Sequence, residues 1–183
     1  MKPLLAIYVL LGVLIVYVIA IYNRLVKLRQ RVKEAQADIE VQLKRRADLV
    51  PNLVETVKGY MGHEAGVLTK VTEARTKFLE AKNVKEEIEK GNILASTLKT
   101  LFAVAENYPD LKANQNFLEL QRELRDAEDK IQAARRLYNT VVQEYNSFRE
   151  YFPNNIFAKI FGFGPAEYFD IPTEEEKLPK VDF

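Results

Sequence analysis

A chain of 183 residues has room for one domain and an appendage. Its 27 Lys and Arg against 26 Asp and Glu leave a formal net charge of +1, and there is no strongly basic face or RNP1-like stacking motif, so no nucleic-acid partner is implied. Cysteine is absent, which excludes disulfides, thiol catalysis, thiolate zinc sites, iron–sulfur clusters and a lipoprotein anchor.

Residues 3–22 (PLLAIYVLLGVLIVYVIAIY) carry no charge. About 20 residues rising 1.5 Å each span roughly 30 Å, the thickness of a bilayer's hydrocarbon core. A cleaved signal has a shorter apolar region, about 7–15 residues, and ends in a small-x-small site; the run Val18-Ile19-Ala20-Ile21-Tyr22-Asn23 is a poor one. Residues 1–22 therefore read as an uncleaved transmembrane anchor, with Tyr22 placed as an interfacial aromatic. Only Lys2 precedes the span, whereas Arg24, Lys27, Arg29, Arg31 and Lys33 follow it closely. Basic residues stay on the cytoplasmic side, so the expectation is a single-pass protein of the inner, cytoplasmic membrane with the bulk of the chain in the cytoplasm.

Seven glycines and seven prolines, gathered at a few places, favour long helices over many short strands. Leu25, Leu28, Val32, Ala35 and Ile39 continue the anchor helix with an apolar seam at 3–4 spacing. Asp48 is a good N-cap and Pro51 fits a first helical turn. The pattern predicts a helix over about 23–47 and a new one over about 48–82, or else one helix kinked at Pro51. Asn83 with Glu86 resembles a capping box and opens a third helix, about 84–107. The fourth, about 112–152, carries apolar residues from Phe117 through Ile131 and Tyr145 to Phe152, alternating three and four apart, the mark of knobs-into-holes packing. Together, residues 23–153 predict an all-α, antiparallel up-and-down four-helix bundle with coiled-coil character. Residues 154–183 hold an aromatic segment and an acidic tail with Glu174, Glu175 and Glu176, expected to be disordered.

Several blocks together resemble the LemA family: YNRLVKLR at 22–29, VQLKRRADLVPNLVETVKGY at 41–60, His63-Glu64, YPDLKA at 108–113, the pairs Tyr138-Asn139 and Tyr145-Asn146, and the Phe152-Pro153 and Gly162-Phe163 elements. The resemblance runs from about Tyr22 to Phe169. It implies a bacterial single-span membrane protein with an antiparallel helical bundle, and says little about molecular role. A magnetosome-membrane protein belongs to the same family, which points towards the organisation of membranes.

No catalytic, cofactor-binding or metal-binding residues emerge. A di-iron centre in a bundle needs two Glu-x-x-His pairs, and His63 is the one histidine; HExxH, GxSxG, GxGxxG and P-loop patterns are all missing. Arg45, Arg46, Asp48, Asn52, Glu55 and Lys58 crowd the junction expected near Pro51, where they form either a solvated turn with local ion pairs or a recognition end for a protein partner. The Tyr-Asn pairs recur at a seven-residue interval. Asn139 and Asn146 either cap a polar edge or form a stripe that fixes helix register or binds a peptide. An up-and-down path brings the end of the fourth helix back to the bilayer, so Phe157, Phe161 and Phe163 either lie in the headgroup region or fold back to cap the bundle. The resulting expectation is a non-enzymatic, membrane-anchored interaction or scaffold module with a protein partner in the membrane or cytoplasm. The alternative is a receptor-like signalling module that binds a small ligand between helices.

Overall fold

The computed structural model describes residues 2–62 and 64–169, with side chains described from residue 6 onward. His63 and the acidic tail with Glu174, Glu175 and Glu176 lie outside the described residues. Among the described residues the regular structure is entirely helical: α1 Lys2–Lys58, α2 Ala65–Leu79, α3 Val84–Ala105, α4 Pro109–Ala113, α5 Gln115–Glu150 and α6 Asn154–Ile160.

The break expected between Ala47 and Asp48 does not occur, and the kink alternative is nearer the mark: α1 is one helix of 57 residues with Pro51 inside it. Proline in a helix interior removes one hydrogen bond and costs about 3 kcal/mol. Two features offset that cost. Ala47, Val50, Leu53 and Val57 are fully buried on both sides of Pro51, so the same core holds the helix above and below it. The carbonyl that Pro51 cannot reach belongs to Ala47, four residues earlier, and Arg75 of α2 donates its Nε–H to that oxygen at 2.9 Å. The helix ends instead at Lys58, just before Gly59, so the second helix expected over 48–82 shrinks to α2.

Farther along, Asn83 caps α3 by accepting from the Glu86 N–H at 2.9 Å, while the Glu86 carboxylate accepts from the Lys82 N–H at 3.1 Å. The Lys82 N–H, then Lys90 and the Asn83 side-chain amide, hold the Glu86 carboxyl below its ordinary range. The helix expected over 112–152 is divided: α4 ends at Ala113, and Asn114 caps α5 by accepting from the Phe117 N–H at 3.0 Å.

The chain forms two compact units, Ala37–Ala134 and Met1–Gln36 with Arg135–Phe183. In Ala37–Ala134, the buried seam of α1 (Ile39, Leu43, Ala47, Val50, Leu53, Val57) accompanies Val71, Ala74 and Phe78 of α2, Leu94, Leu98 and Leu101 of α3, and Phe117, Leu124, Ala127 and Ile131 of α5. Gly91 sets the closeness of α3 to α1: a Cβ there would stand 3.0 Å from Leu43 Cδ2 and 3.1 Å from Arg46 Nη2. The rings of Phe102 and Phe117 meet at 6.0 Å between α3 and α5.

In the other unit, Ile21, Leu25, Leu28 and Val32 of α1 share a core with Val141, Val142 and Tyr145 of α5, Ala158 of α6 and Phe163 beyond it. N-terminal to Ile21 the helix changes character. Every large apolar side chain described from Ile7 to Tyr17 is exposed, and α1, through its N-terminal stretch, is long and apolar enough to cross a membrane.

Candidate interaction surfaces

The residues expected at a helix junction lie instead on one unbroken helix, and they divide. Arg45, Asp48, Asn52, Glu55 and Lys58 recur three or four apart and are exposed, which makes them a polar stripe along α1. Arg46 faces the other way. It is 2% exposed, donates through Nη1 to Glu128 at 2.6 Å and through Nη2 to the Gly91 carbonyl, and so serves the core rather than a partner. Arg45 pairs with Asp126 at 3.1 Å. Lys130, with Arg45, holds the Asp126 carboxyl below its ordinary range. Glu55 and Lys58 open onto a groove of about 680 Å³ between the end of α1 and α2, with Val54, Met61, Leu68 and Thr69 in its lining. The hydroxyls of Thr69, Thr72 and Thr76 are bonded back to carbonyls of α2 itself.

The two Tyr-Asn pairs act together on a non-helical segment of the same chain, 163–169. Asn146 donates to the Ala166 carbonyl at 2.9 Å and accepts from the Ala166 N–H at 2.9 Å. Asn139 does the same with Phe169, at 3.2 and 2.8 Å. Tyr145 donates its hydroxyl to the Gly164 carbonyl at 2.7 Å, and Tyr138 to that of Glu167 at 3.0 Å. Each pair therefore binds a main-chain stretch three residues from the next. The spacing follows from element geometry, because seven helical residues rise about 10.5 Å and three extended residues about 10 Å. Each carboxamide offers a backbone-like donor and acceptor. Burial pushes both tyrosine hydroxyls above their ordinary pKa; the Glu167 carboxylate adds to the rise at Tyr138, whereas Arg149 and Arg29 oppose it at Tyr145.

Between α5 and this segment the chain turns through a cis Phe152–Pro153 peptide. α6 then stops in a Schellman arrangement: Gly162 has φ 72°, its N–H donates to Lys159, and the Phe163 N–H donates to the Ala158 carbonyl at 2.8 Å. That reversal carries Phe163 into the core, where it is 4% exposed beneath the Arg29 guanidinium at 4.8 Å. Phe157 packs partly against the same core, whereas Phe161 and Tyr22 each remain 42% exposed and meet edge to face at 5.2 Å. The four aromatics named from sequence thus separate into an inner pair and an outer pair. Three residues that organise these surfaces carried no sequence signal: Arg75 on the Ala47 carbonyl, Gly91 under Arg46, and Glu144, which receives Arg24 at 2.9 Å and Arg31 at 2.6 Å.

Over the described residues these features define an all-helical protein whose long first helix begins with a hydrophobic stretch. The sequence model of the LemA family matches residues 35–183. The chain belongs to the LemA family. It is 28% identical to Protein LemA of Metamycoplasma hominis, with 84% of this chain and 74% of that protein covered. It is 25% identical to Magnetosome protein MamQ 2 of Paramagnetospirillum magneticum and 24% identical to Magnetosome protein MamQ of Magnetospirillum gryphiswaldense. Both of these alignments cover 81% of this chain and 64% of the relative, so the chain spans a little under two thirds of the length of the magnetosome relatives.

Proposed function

We infer that this chain is a non-enzymatic scaffold held in the inner membrane by one span, with an antiparallel bundle of α1, α2, α3 and α5 that engages a protein partner on the cytoplasmic side. The observation that carries the reading is the change of character along one continuous helix: α1 exposes apolar side chains around its whole circumference up to Tyr17 and buries a single seam from Ile21 onward. An apolar helix exposed all round fits a lipid environment, and an amphipathic one fits a protein core. The bundle takes support from the bond between Arg75 and Ala47, the approach of Gly91 to Leu43, and the ring contact of Phe102 with Phe117. The partner surface is the exposed stripe of Arg45, Asp48, Asn52, Glu55 and Lys58.

Because the chain contains no cysteine, an Asn52→Cys variant places one photocrosslinker on that stripe in native membranes. The expected result is a discrete protein adduct, identified by mass spectrometry, that disappears when Glu55 and Lys58 are both changed to Ala. An adduct unaffected by those changes, or no adduct at all, sinks the partner assignment.

The receptor-like reading takes support from the groove beside Glu55 and Lys58, whose volume of about 680 Å³ lies in the range of small-molecule sites. A ligand-dependent rise in melting temperature, abolished by Leu68→Trp in the groove wall, is its expected signature. Screens that give no such shift count against it.

A further inference from the structure

We propose that the turn and short helix after α5 form an interfacial lipid-binding patch, seated in the headgroup region of the bilayer that α1 crosses; this rests on the anchor reading above. Over eleven residues the chain exposes five large apolar side chains: Tyr151 (64%), Phe152 (81%), Ile156 (48%), Ile160 (67%) and Phe161 (42%). Ile156 and Ile160 are four apart on α6 and so share a face. Soluble surfaces seldom gather large apolar side chains so densely, and apolar residues that are buried, Ala158 within the segment and Phe163 just beyond it, already serve the core. The outward side chains are thus a second apolar face, left over after the core is complete.

The location of that face identifies its occupant. Phe161 meets Tyr22, and Tyr22 is the last residue of the apolar run, just before Asn23 and the first following charge, Arg24. Ile21, one residue earlier, lies in the same core cluster as Ala158 and Phe163. α6 is therefore fixed against α1 at the level where lipid gives way to water. Lys159 of α6 and Lys27 of α1 are both exposed in this unit, and cations at this level match anionic headgroups. Tyrosine is enriched at the same depth, and short apolar segments with basic residues settle there with one face buried. The residues assigned are not those that a run of aromatics picks out: Phe157 and Phe163 turn inward, and Phe152, Ile156 and Ile160 take the lipid-facing role.

The test uses the full chain reconstituted in vesicles of phosphatidylcholine and phosphatidylglycerol. Single-cysteine variants Phe152→Cys, Ile156→Cys and Ile160→Cys carry an environment-sensitive fluorophore, with Thr140→Cys as a water-exposed site on α5 and Leu14→Cys as a site within the span. Two quenchers are compared: aqueous iodide, and nitroxide lipids labelled at the headgroup or deep in the acyl chain. The expected result is that headgroup nitroxides quench the three patch sites, iodide reaches them several-fold less than it reaches Thr140→Cys, and deep nitroxides quench Leu14→Cys. Patch sites as open to iodide as Thr140→Cys, with Leu14→Cys in the acyl region, overturn the patch and leave the anchor standing. Patch sites shielded from both quenchers overturn it in favour of a protein occupant. If deep nitroxides fail to quench Leu14→Cys, the anchor reading fails and the patch falls with it.

Discussion

At Pro51 a missing N–H in one helix is answered by a side chain from another. The Ala47 carbonyl has lost its ordinary donor, and the Arg75 Nε–H takes that place. Arg75→Met should therefore strand a part-buried carbonyl and destabilise the protein by about 1–3 kcal/mol. Pro51→Ala supplies the absent N–H, so the double variant should recover most of that loss. Thermal or denaturant unfolding of the four proteins completes the cycle, and equal losses in the single and double variants would mean that Arg75 contributes through other contacts. This bond also explains where reading the sequence stopped short. Asp48 and Pro51 carry the local marks of a helix start, and local marks are what a linear pattern records. The compensating donor lies 28 residues away in the chain, on a different helix. For the same reason Arg46 and Arg45 look alike in the sequence, while one is buried against Gly91 and Glu128 and the other reaches Asp126 at the surface.

Among the elements, α5 does two jobs at once. Its apolar seam was readable because a 3–4 alternation has one structural meaning over so many turns. Its Tyr-Asn pairs were visible as a repeat, but their object was not, since a helix-borne carboxamide that binds main chain leaves no complementary residue type to find. Asn146→Leu removes both bonds to Ala166 and should cost about 1–3 kcal/mol locally. Hydrogen exchange should locate that loss at the Ala166 and Phe169 amides, with the amides of α3 unchanged; a uniform loss would contradict local anchoring. Alkaline pH offers a second handle. Burial favours the neutral hydroxyls of Tyr138 and Tyr145, so their folded pKa values exceed the unfolded ones. Their contribution is fully present below the ordinary tyrosine pKa of about 10 and disappears as pH rises through the raised values. Exchange of the 164–169 amides, corrected for intrinsic rate, should accelerate there, and a Tyr138→Phe, Tyr145→Phe variant should lose that pH dependence.

For the molecule as a whole, family membership and the helical class were both legible, the first from the KRRADLVPNLVETVKGY block and the second from periodicity and sparse punctuation. What the hydropathy pattern could not say is which apolar residues beside Tyr22 face inward, because Phe157, Phe161 and Phe163 are equally apolar as letters. That sorting depends on the Gly162 reversal and on contact with α1. The orientation expected from Arg24, Lys27, Arg29, Arg31 and Lys33 gives a direct test. A membrane-impermeant maleimide should leave Thr140→Cys unlabelled in intact cells and label it after permeabilisation. Labelling of intact cells would put the body of the protein on the opposite side.

The ladder on α5 also sets a rule of mutational tolerance. Its six bonds all end on main-chain atoms of 164–169, so at Glu167 and Tyr168, whose side chains are exposed, identity should matter little. The N–H groups it uses are those of residues 166 and 169. Proline, which has no N–H, already stands at 165, where none is required. In a saturation library scored for folded protein, proline should be rejected at 166 and 169 and accepted at 167, a signature written in backbone chemistry rather than in side-chain preference.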